Sequence, residues 1–278
     1  MSEGIAVPRS PPCDNQQVMP ADELPKKTGT QAIERALAIL RLFTANDRPL
    51  SLTEIARAVG LSPATTHRIV ATLVRERLLA NDAATERYQI GPDSLFLFAA
   101  AARRYGIAAA RSELQDLVDV TQETAAIGMV DGADTVVVLQ VESDLPLRFS
   151  RAVGTRVPTH VSAMGKAILA YSGRTGSDQA TALGKLHRFT DHTITDRQRL
   201  LAELGEIEQR GWAVNDNERY DGVRGVAVPI LQDGRRAYAS LGVQGPTERL
   251  PDSRIASIVE ALQTSAHRLS LHLQLTTF

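Results

Sequence analysis

Residues 52–79 read LTEIARAVGLSPATTHRIVATLVRERLL, and the N-terminal fold turns on this stretch. Its spacing predicts two helices joined by a tight turn. Ser51 stands where the first helix needs a cap, and Glu54, three residues on, completes a capping box. Ile55, Ala56 and Val59 give that helix one apolar face, with Ala56 small enough for close helix–helix approach. Gly60 is expected to end it, since a left-handed residue closes the last turn and glycine adopts that conformation most easily. Ser62 caps the second helix, and Pro63 takes its first position, where a missing N–H costs nothing. Ile69, Val70 and Leu73 bury one side of this helix. Ala64, Thr65, His67 and Arg68 lie on the other side, beside the cap Ser62. Thr66 faces inward where an apolar residue is usual, which predicts a slightly looser pair. Two short helices with a polar, basic leading edge describe a helix-turn-helix that lays its second helix in a DNA major groove.

The flanks extend the pattern. Upstream, Ile33, Ala36, Leu37, Leu40 and Phe43 repeat at helical spacing within 31–43, predicting one apolar helix face. Downstream, Leu78–Ala80 and Tyr88–Gly91 read as short strands around the polar turn 81–87. Helix, helix, helix, hairpin is the order of a winged helix-turn-helix. From Lys26 to Ile90 the net charge is +4, while the rest of the chain sums to −5. A basic small domain on an acidic larger part fits phosphate contact by one end only. Arg75, Arg77 and Arg87 either contribute to that contact or form a solvated face; Arg75 and Arg87 join Ser62, Ala64, Thr65, His67 and Arg68 as the candidate DNA-binding set.

Composition bounds the rest. A chain of 278 residues, 43% hydrophobic, has room for two domains with ordinary cores. Cys13 is the only cysteine, so no intramolecular disulfide or cysteine-based zinc site forms, and a reducing compartment fits best. The apolar run Leu95–Ala102 is far too short for a membrane span, and the N-terminus lacks an export pattern, so a soluble cytoplasmic protein without membrane partners is expected. The expected organisation is a proline-rich disordered tail (1–27), a winged helix-turn-helix domain (28–91), a linker helix (92–123) that Gly106 breaks or bends, and a second domain (124–278). The linker's apolar first half, with Leu95, Leu97 and Phe98, packs either within its chain or against a second copy. A dimer is favoured because two half-sites need two reading helices.

Beyond residue 124 the pattern alternates. Ala125–Val130 and Thr135–Val141 read as one strand pair, and Val223–Leu231 and Arg236–Val243 as another around 232–235. Helices are expected over Ser162–Tyr171, Asp196–Arg210 and Ser253–Leu273, the second with a capping box from Thr195 and Gln198. The fold class is therefore α+β in two domains, the second built on an antiparallel sheet. Two segments stand out chemically. PTHVSAMGKA (158–167) starts a helix at Ser162, whose free N–H groups attract anions. GWAVNDNERYDGVRG (211–225) is a dense polar loop of the kind that lines a pocket. Capping and a solvated loop are the plainer alternatives for both.

The winged helix-turn-helix, the SAMGKA segment, the loop ending in DGVRGVAVP and the later Gly242-Val243-Gln244-Gly245-Pro246 together resemble IclR-type transcriptional regulators, from about Gln31 to the C-terminus. The resemblance implies a dimer or tetramer that binds operator DNA through its N-terminal domain. It also implies a GAF-like C-terminal domain binding a small organic effector, often a carboxylate or aromatic catabolite. Carried over by position, the effector contacts are Ala163, Met164 and Gly165 at the helix start, Asn215 and Asp216 in the loop, and Gly225, Gly242 and Gln244 on the strands. Gly225 stands where a cysteine is common, and Gly242 and Gln244 where small hydroxyl residues are common. These departures predict a roomier pocket, suited to a ring or longer chain. Arg148, Arg151 or Arg224 is available to neutralise a carboxylate.

No nucleophile–base spacing or metal-ligand cluster is recognisable, and the six histidines are scattered. Lys166 beside a glycine is expected to be solvent-exposed or structural. The expectation is a regulator rather than an enzyme, with no cofactor and no metal. Effector binding would shift its population between states of different operator affinity. Repressor and activator are both compatible with the sequence.

Overall fold

The structure, a computed structural model, describes residues 30–44, 48–173, 183–232 and 234–273. The expected tail 1–27, with Cys13, and Asp233 of the second hairpin turn lie outside the described residues. The chain divides into two compact units, Met1–Phe96 and Leu97–Phe278.

The first unit holds α1 (Gln31–Leu42), β1 (Leu50–Ser51), α2 (Leu52–Ala58), α3 (Pro63–Arg75), β2 (Leu79–Asp82) and β3 (Arg87–Ile90), with an antiparallel sheet ordered β1-β3-β2. Both expected caps form. The Ser51 and Glu54 side chains each accept the other's backbone N–H, at 3.3 and 2.8 Å, and Ser62 Oγ accepts the Thr65 N–H. Gly60 takes φ +64° after α2. Thr66 is fully buried, but its hydroxyl donates to the Ser62 carbonyl at 3.0 Å, so the inward polar group is satisfied within its own helix. The face of α1 differs from expectation. Ile39, Leu42 and Phe43 enter the core, Ala36 and Leu40 only edge it, and Ile33 and Leu37 stay exposed. Apolar residues occupy more than one side of this helix, so periodicity alone could not choose between them. Strand β1, two residues long, carries no periodic signal and was not anticipated.

The boundary between the units falls within α4 (Asp93–Tyr105), none of whose residues is buried. Gly106 ends it with φ +69°, and α5 (Ile107–Thr121) follows. The expected linker is thus two helices, and α5 is part of the second unit's core through Ala110, Leu114, Leu117 and Val118.

The second unit is built on β4 (Thr124–Asp131), β5 (Asp134–Val141), β6 (Arg156–Pro158), β7 (Ala213–Asp216), β8 (Val223–Gln232) and β9 (Arg236–Pro246). They form one antiparallel sheet ordered β6-β5-β4-β9-β8-β7. Period-two alternation separates its faces. Ile127, Met129, Val226, Val228, Leu241 and Val243 pack with α5 and α8 (Asp252–His272). The opposite face meets α6 (Ala163–Ala170) and α7 (Arg197–Arg210), where Ala163, Ala167, Leu200, Leu204, Ala213 and Ala227 share a second core. Asp196, not Thr195, caps α7, its carboxylate accepting the Arg199 N–H at 2.8 Å.

Candidate functional site

On the first unit, Ser62, Ala64, His67 and Arg68 are exposed at the start of α3, with Thr65 half-buried among them and hydrogen-bonded to Ser62 Oγ. Arg75 is exposed and pairs with its neighbour Glu76. Arg87 is engaged within the domain. Its Nη1 donates to the Pro49 carbonyl at 2.9 Å and to Glu54 Oε2 at 3.0 Å. The cause is the unanticipated β1: pairing of Ser51 with Arg87 brings the strand's guanidinium onto the carboxylate that caps α2. Arg48 takes the other oxygen at 2.8 Å. Hydrogen bonding from Arg48 above all, then from Ser51, holds the Glu54 carboxyl down at about 2.

On the second unit, small residues line the sheet face beneath α6. Ala126 pairs with Gly242, Gly242 with Ala227, and Gly225 with Gln244 across the three central strands. Their size lets the helix lie close to the strands. A cavity of about 30 Å³ remains at the helix start, between Ser162, Ala163 and Met164, the strand residues Thr124, Ala126, Gly225, Gly242 and Gln244, and Phe149 with Arg151. On that measure a water needs roughly 10–15 Å³, so the space is small.

Six of the eight residues expected to touch an effector line this cavity: Ala163, Met164, Asn215, Gly225, Gly242 and Gln244. Gly165 does not. It is turned toward β5 and the 3-10 turn Thr159–Val161, where a Cβ would overlap Thr135 and Thr159, and its N–H is taken by Ser162 Oγ. Asp216 does not either. It grips Arg224 at 2.6 and 3.0 Å, which keeps its carboxyl below the usual range. The expected extra room is real at Gly225, where a Cβ would meet its neighbours at 3.6 Å or more. It is absent at Gly242, where Met164 and Ala227 already stand within 3.0–3.1 Å of such a Cβ. The pocket is consequently tighter than the sequence suggests.

The three candidate arginines separate clearly. Arg148 pairs with Glu142, and Arg224 with Asp216 and Asp252. Arg151 alone of the three lines the cavity, and among the described residues it has no acidic partner; its Nη2 is buried without a hydrogen bond. Its guanidinium lies 4.7 Å from the Phe149 ring and 5.9 Å from Tyr220. Burial, and next the charge of Arg219, bring its pKa down to about 10. Among the described residues Arg219 also has no acidic partner. It stands 5.0 Å from Phe189 and 5.2 Å from Tyr220, with Nε and Nη1 buried and unbonded.

Lys166 is structural rather than exposed. It is completely buried, and its Nζ reaches Glu203 at 2.7 Å and Glu218 at 2.5 Å. Burial pushes the Glu218 carboxyl up, against the pull of Lys166. Asn215 locks the same loop, donating to the Val161 carbonyl at 2.6 Å and accepting the Glu218 N–H at 3.0 Å. Arg219 and Glu203 were not singled out from the sequence, and Glu218 entered only as one of the acids of the 211–225 loop. The only local signal was the polarity of the 211–225 loop, because their partners lie far away in the chain.

Among the described residues, no cluster of His, Cys, Asp and Glu is arranged to hold a metal ion, and no helix is long and apolar enough to cross a membrane. The family model for the bacterial transcriptional regulator IclR C-terminal domain matches residues 99–271, and that for the IclR helix-turn-helix domain matches residues 32–83. The transcriptional regulator BhcR of Paracoccus denitrificans is 35% identical over 243 residues, covering 87% of each chain. An IclR-type regulator from Alicyclobacillus acidocaldarius superposes with a TM-score of 0.79 at 27% identity, over 86% of this chain and 97% of that one. An IclR homologue from Microbacterium hydrocarbonoxydans, solved with 4-hydroxybenzoate, shares the fold at a TM-score of 0.75 and 20% identity, over 87% and 99% of the two chains. The chain therefore belongs to the IclR family of transcriptional regulators, not of enzymes, with a DNA-binding helix-turn-helix domain and a C-terminal α/β domain for a small-molecule effector.

Proposed function

We propose that Ser62, Ala64, Thr65, His67 and Arg68 form the groove-reading edge and that a small organic acid bound in the cavity at the start of α6 controls operator affinity. The observation that carries the effector reading is the cavity itself. It unites the first turn of α6 with Asn215, Gly225, Gly242 and Gln244, residues drawn from distant parts of the chain. The α6 amides of Ala163 and Met164 have no acceptor within the helix, since the first N–H groups of any helix lack one. They suit an anion, and the unpaired Arg151 on the same cavity suits it further.

The regulator acts as a dimer or tetramer. Leu95, Phe96, Leu97 and Phe98 on α4 are each more than 60% exposed, and Ile33 and Leu37 on α1 are also exposed. Such apolar residues, adjacent on one helix, favour a second copy. The effector acts by its differential affinity for two states of different operator affinity, in cytoplasmic solution.

A gel shift on the DNA upstream of the protein's own coding region, at fixed salt, tests the DNA edge. Arg68→Ala should weaken specific binding by about 1–3 kcal/mol if Arg68 reads a base. Unchanged operator affinity would remove Arg68 from that role. Arg87→Ala should instead lower stability more than it lowers the salt slope of binding.

A further inference from the structure

The polar groups of the cavity are unequally engaged. Gln140 accepts the Arg151 N–H and donates to Ser150. Asn215 is held on both sides by Val161 and Glu218. Thr124 Oγ1 accepts from Ser143, and Ser162 Oγ from Gly165. What remains is the Arg151 guanidinium, the amides that open α6, and the Gln244 side chain. These are donors, apart from one amide oxygen. Among the described residues, Arg151 is also the only charged side chain lining the cavity.

A half-buried cation whose inner donor has no partner is costly, and the cost is relieved by an anion more than by any neutral group. Arg219 sharpens this. It lies close enough to Arg151 to make its charged form less favourable, and among the described residues no carboxylate hydrogen-bonds to either guanidinium. Glu218 is next to Arg219 in sequence, but it is bonded to Lys166 and its free oxygen does not reach the Arg219 donors. One carboxylate would have to divide its two oxygens between the helix start and Arg151, whereas a ligand with two acid groups offers each its own anion.

We propose that the effector of this chain is a compact diacid, with one anionic group on the first turn of α6 and the other on Arg151, while Arg219 strengthens the positive field there without touching the ligand. The proposal rests on the cavity being the effector site. It makes Arg151 the residue that selects for a second charge.

The test is calorimetric titration of the full chain with acids matched except in charge: succinate against succinamate, and glutarate against glutaramate. At least one diacid is expected to bind roughly 10- to 100-fold more tightly than its monoamide, the range of one charge-assisted hydrogen bond. Arg151→Met should erase that preference and leave the monoamide within about threefold of its original affinity, as loss of one charged contact alone predicts. Arg219→Gln should reduce the preference without erasing it. The unliganded Arg151→Met protein should melt no lower than the unsubstituted one, because a buried unpaired charge has been removed; this separates a ligand role from a structural one. Equal binding of diacids and monoamides, binding of neither, or a preference that survives Arg151→Met would overturn the proposal. Gly225→Leu, which fills the cavity, tells the two readings apart. If acids bind without charge preference and are lost in Gly225→Leu, the cavity reading stands and the diacid fails. If a diacid binds Gly225→Leu unchanged, both fall.

Discussion

Replacing Lys166 by Met removes a charge and preserves shape. The methionine side chain follows the lysine stem through a site that is fully buried, so packing loss should be small. What is left is electrostatic. Glu203 and Glu218, formerly 2.7 and 2.5 Å from Nζ, face each other without a cation. Breaking a buried ion pair by deleting one partner costs about 3–5 kcal/mol. Glu203 retains 19% side-chain exposure and can turn toward water, which favours the lower end, about 3 kcal/mol. For a domain of this size each kcal/mol lowers Tm by about 2–4 °C, so a fall of roughly 6–12 °C is expected at pH 7. The pH dependence has a definite sign. The Glu218 carboxyl is already raised by burial, and losing Lys166 raises it further. A carboxyl raised in the folded state stabilises below its unfolded pKa and loses that stabilisation as pH rises through the folded value. The deficit should therefore shrink as pH is lowered from 7 toward the unfolded value, and adding Glu218→Gln should recover much of it. Calorimetric melts at pH 7 and 5 measure this. A fall below about 2 °C, less than a loss of one kcal/mol would produce, or a deficit independent of pH, would refute the assignment of Lys166 as a buried counter-ion.

Gly245→Ala should unfold the second unit more easily by roughly 3 kcal/mol, read as a lower Tm. A Cβ there overlaps the Glu123 carboxylate, which is fully buried and doubly bonded to Arg249 at 2.5 and 2.7 Å. Gly106→Ala forces a left-handed alanine, about 1–2 kcal/mol, and sets its Cβ 2.6 Å from the His272 carbonyl oxygen; denaturant melts should show a loss at least that large. The depressed Glu54 carboxyl contributes stability that is complete above its unfolded pKa and is lost as pH falls toward about 2. Carboxyl NMR titration should find its midpoint near that value, and Arg48→Ala should move it upward.

The parts of the fold that rest on local chemistry were legible in the chain. Ser51, Ser62, Gly60 and Gly106 each act through neighbours a few residues away, and each does what its position implies. The two long hairpins were legible because alternation and a turn are also local. What escaped depends on distant partners. The α1 face could not be chosen while Ile33, Leu37, Ile39 and Leu42 were all apolar. The pairing of β1 with β3 redirects Arg87 from the outer edge to Glu54. In the cavity, the resemblance found the strand and helix positions, but Gly165 and Asp216 are engaged elsewhere. The lack of an acidic partner for Arg151 and Arg219 among the described residues emerges only from the folded chain, since Glu218, the acid beside Arg219 in sequence, is taken by Lys166.

Helix α6 is buried on nearly all sides: of its eight residues only Met164 keeps partial exposure. Gly165 cannot accept a methyl group without displacing Thr135 and Thr159, and Ala167 is sealed in the core with α7. One wall of the cavity is thus frozen by packing. For the proposed effector, change in ligand preference has to be written on the opposite wall, at Gly225, Gln244 and the segment carrying Phe149 and Arg151. A scaffold arranged in this way can exchange one signal molecule for another without reopening the problem of how to fold.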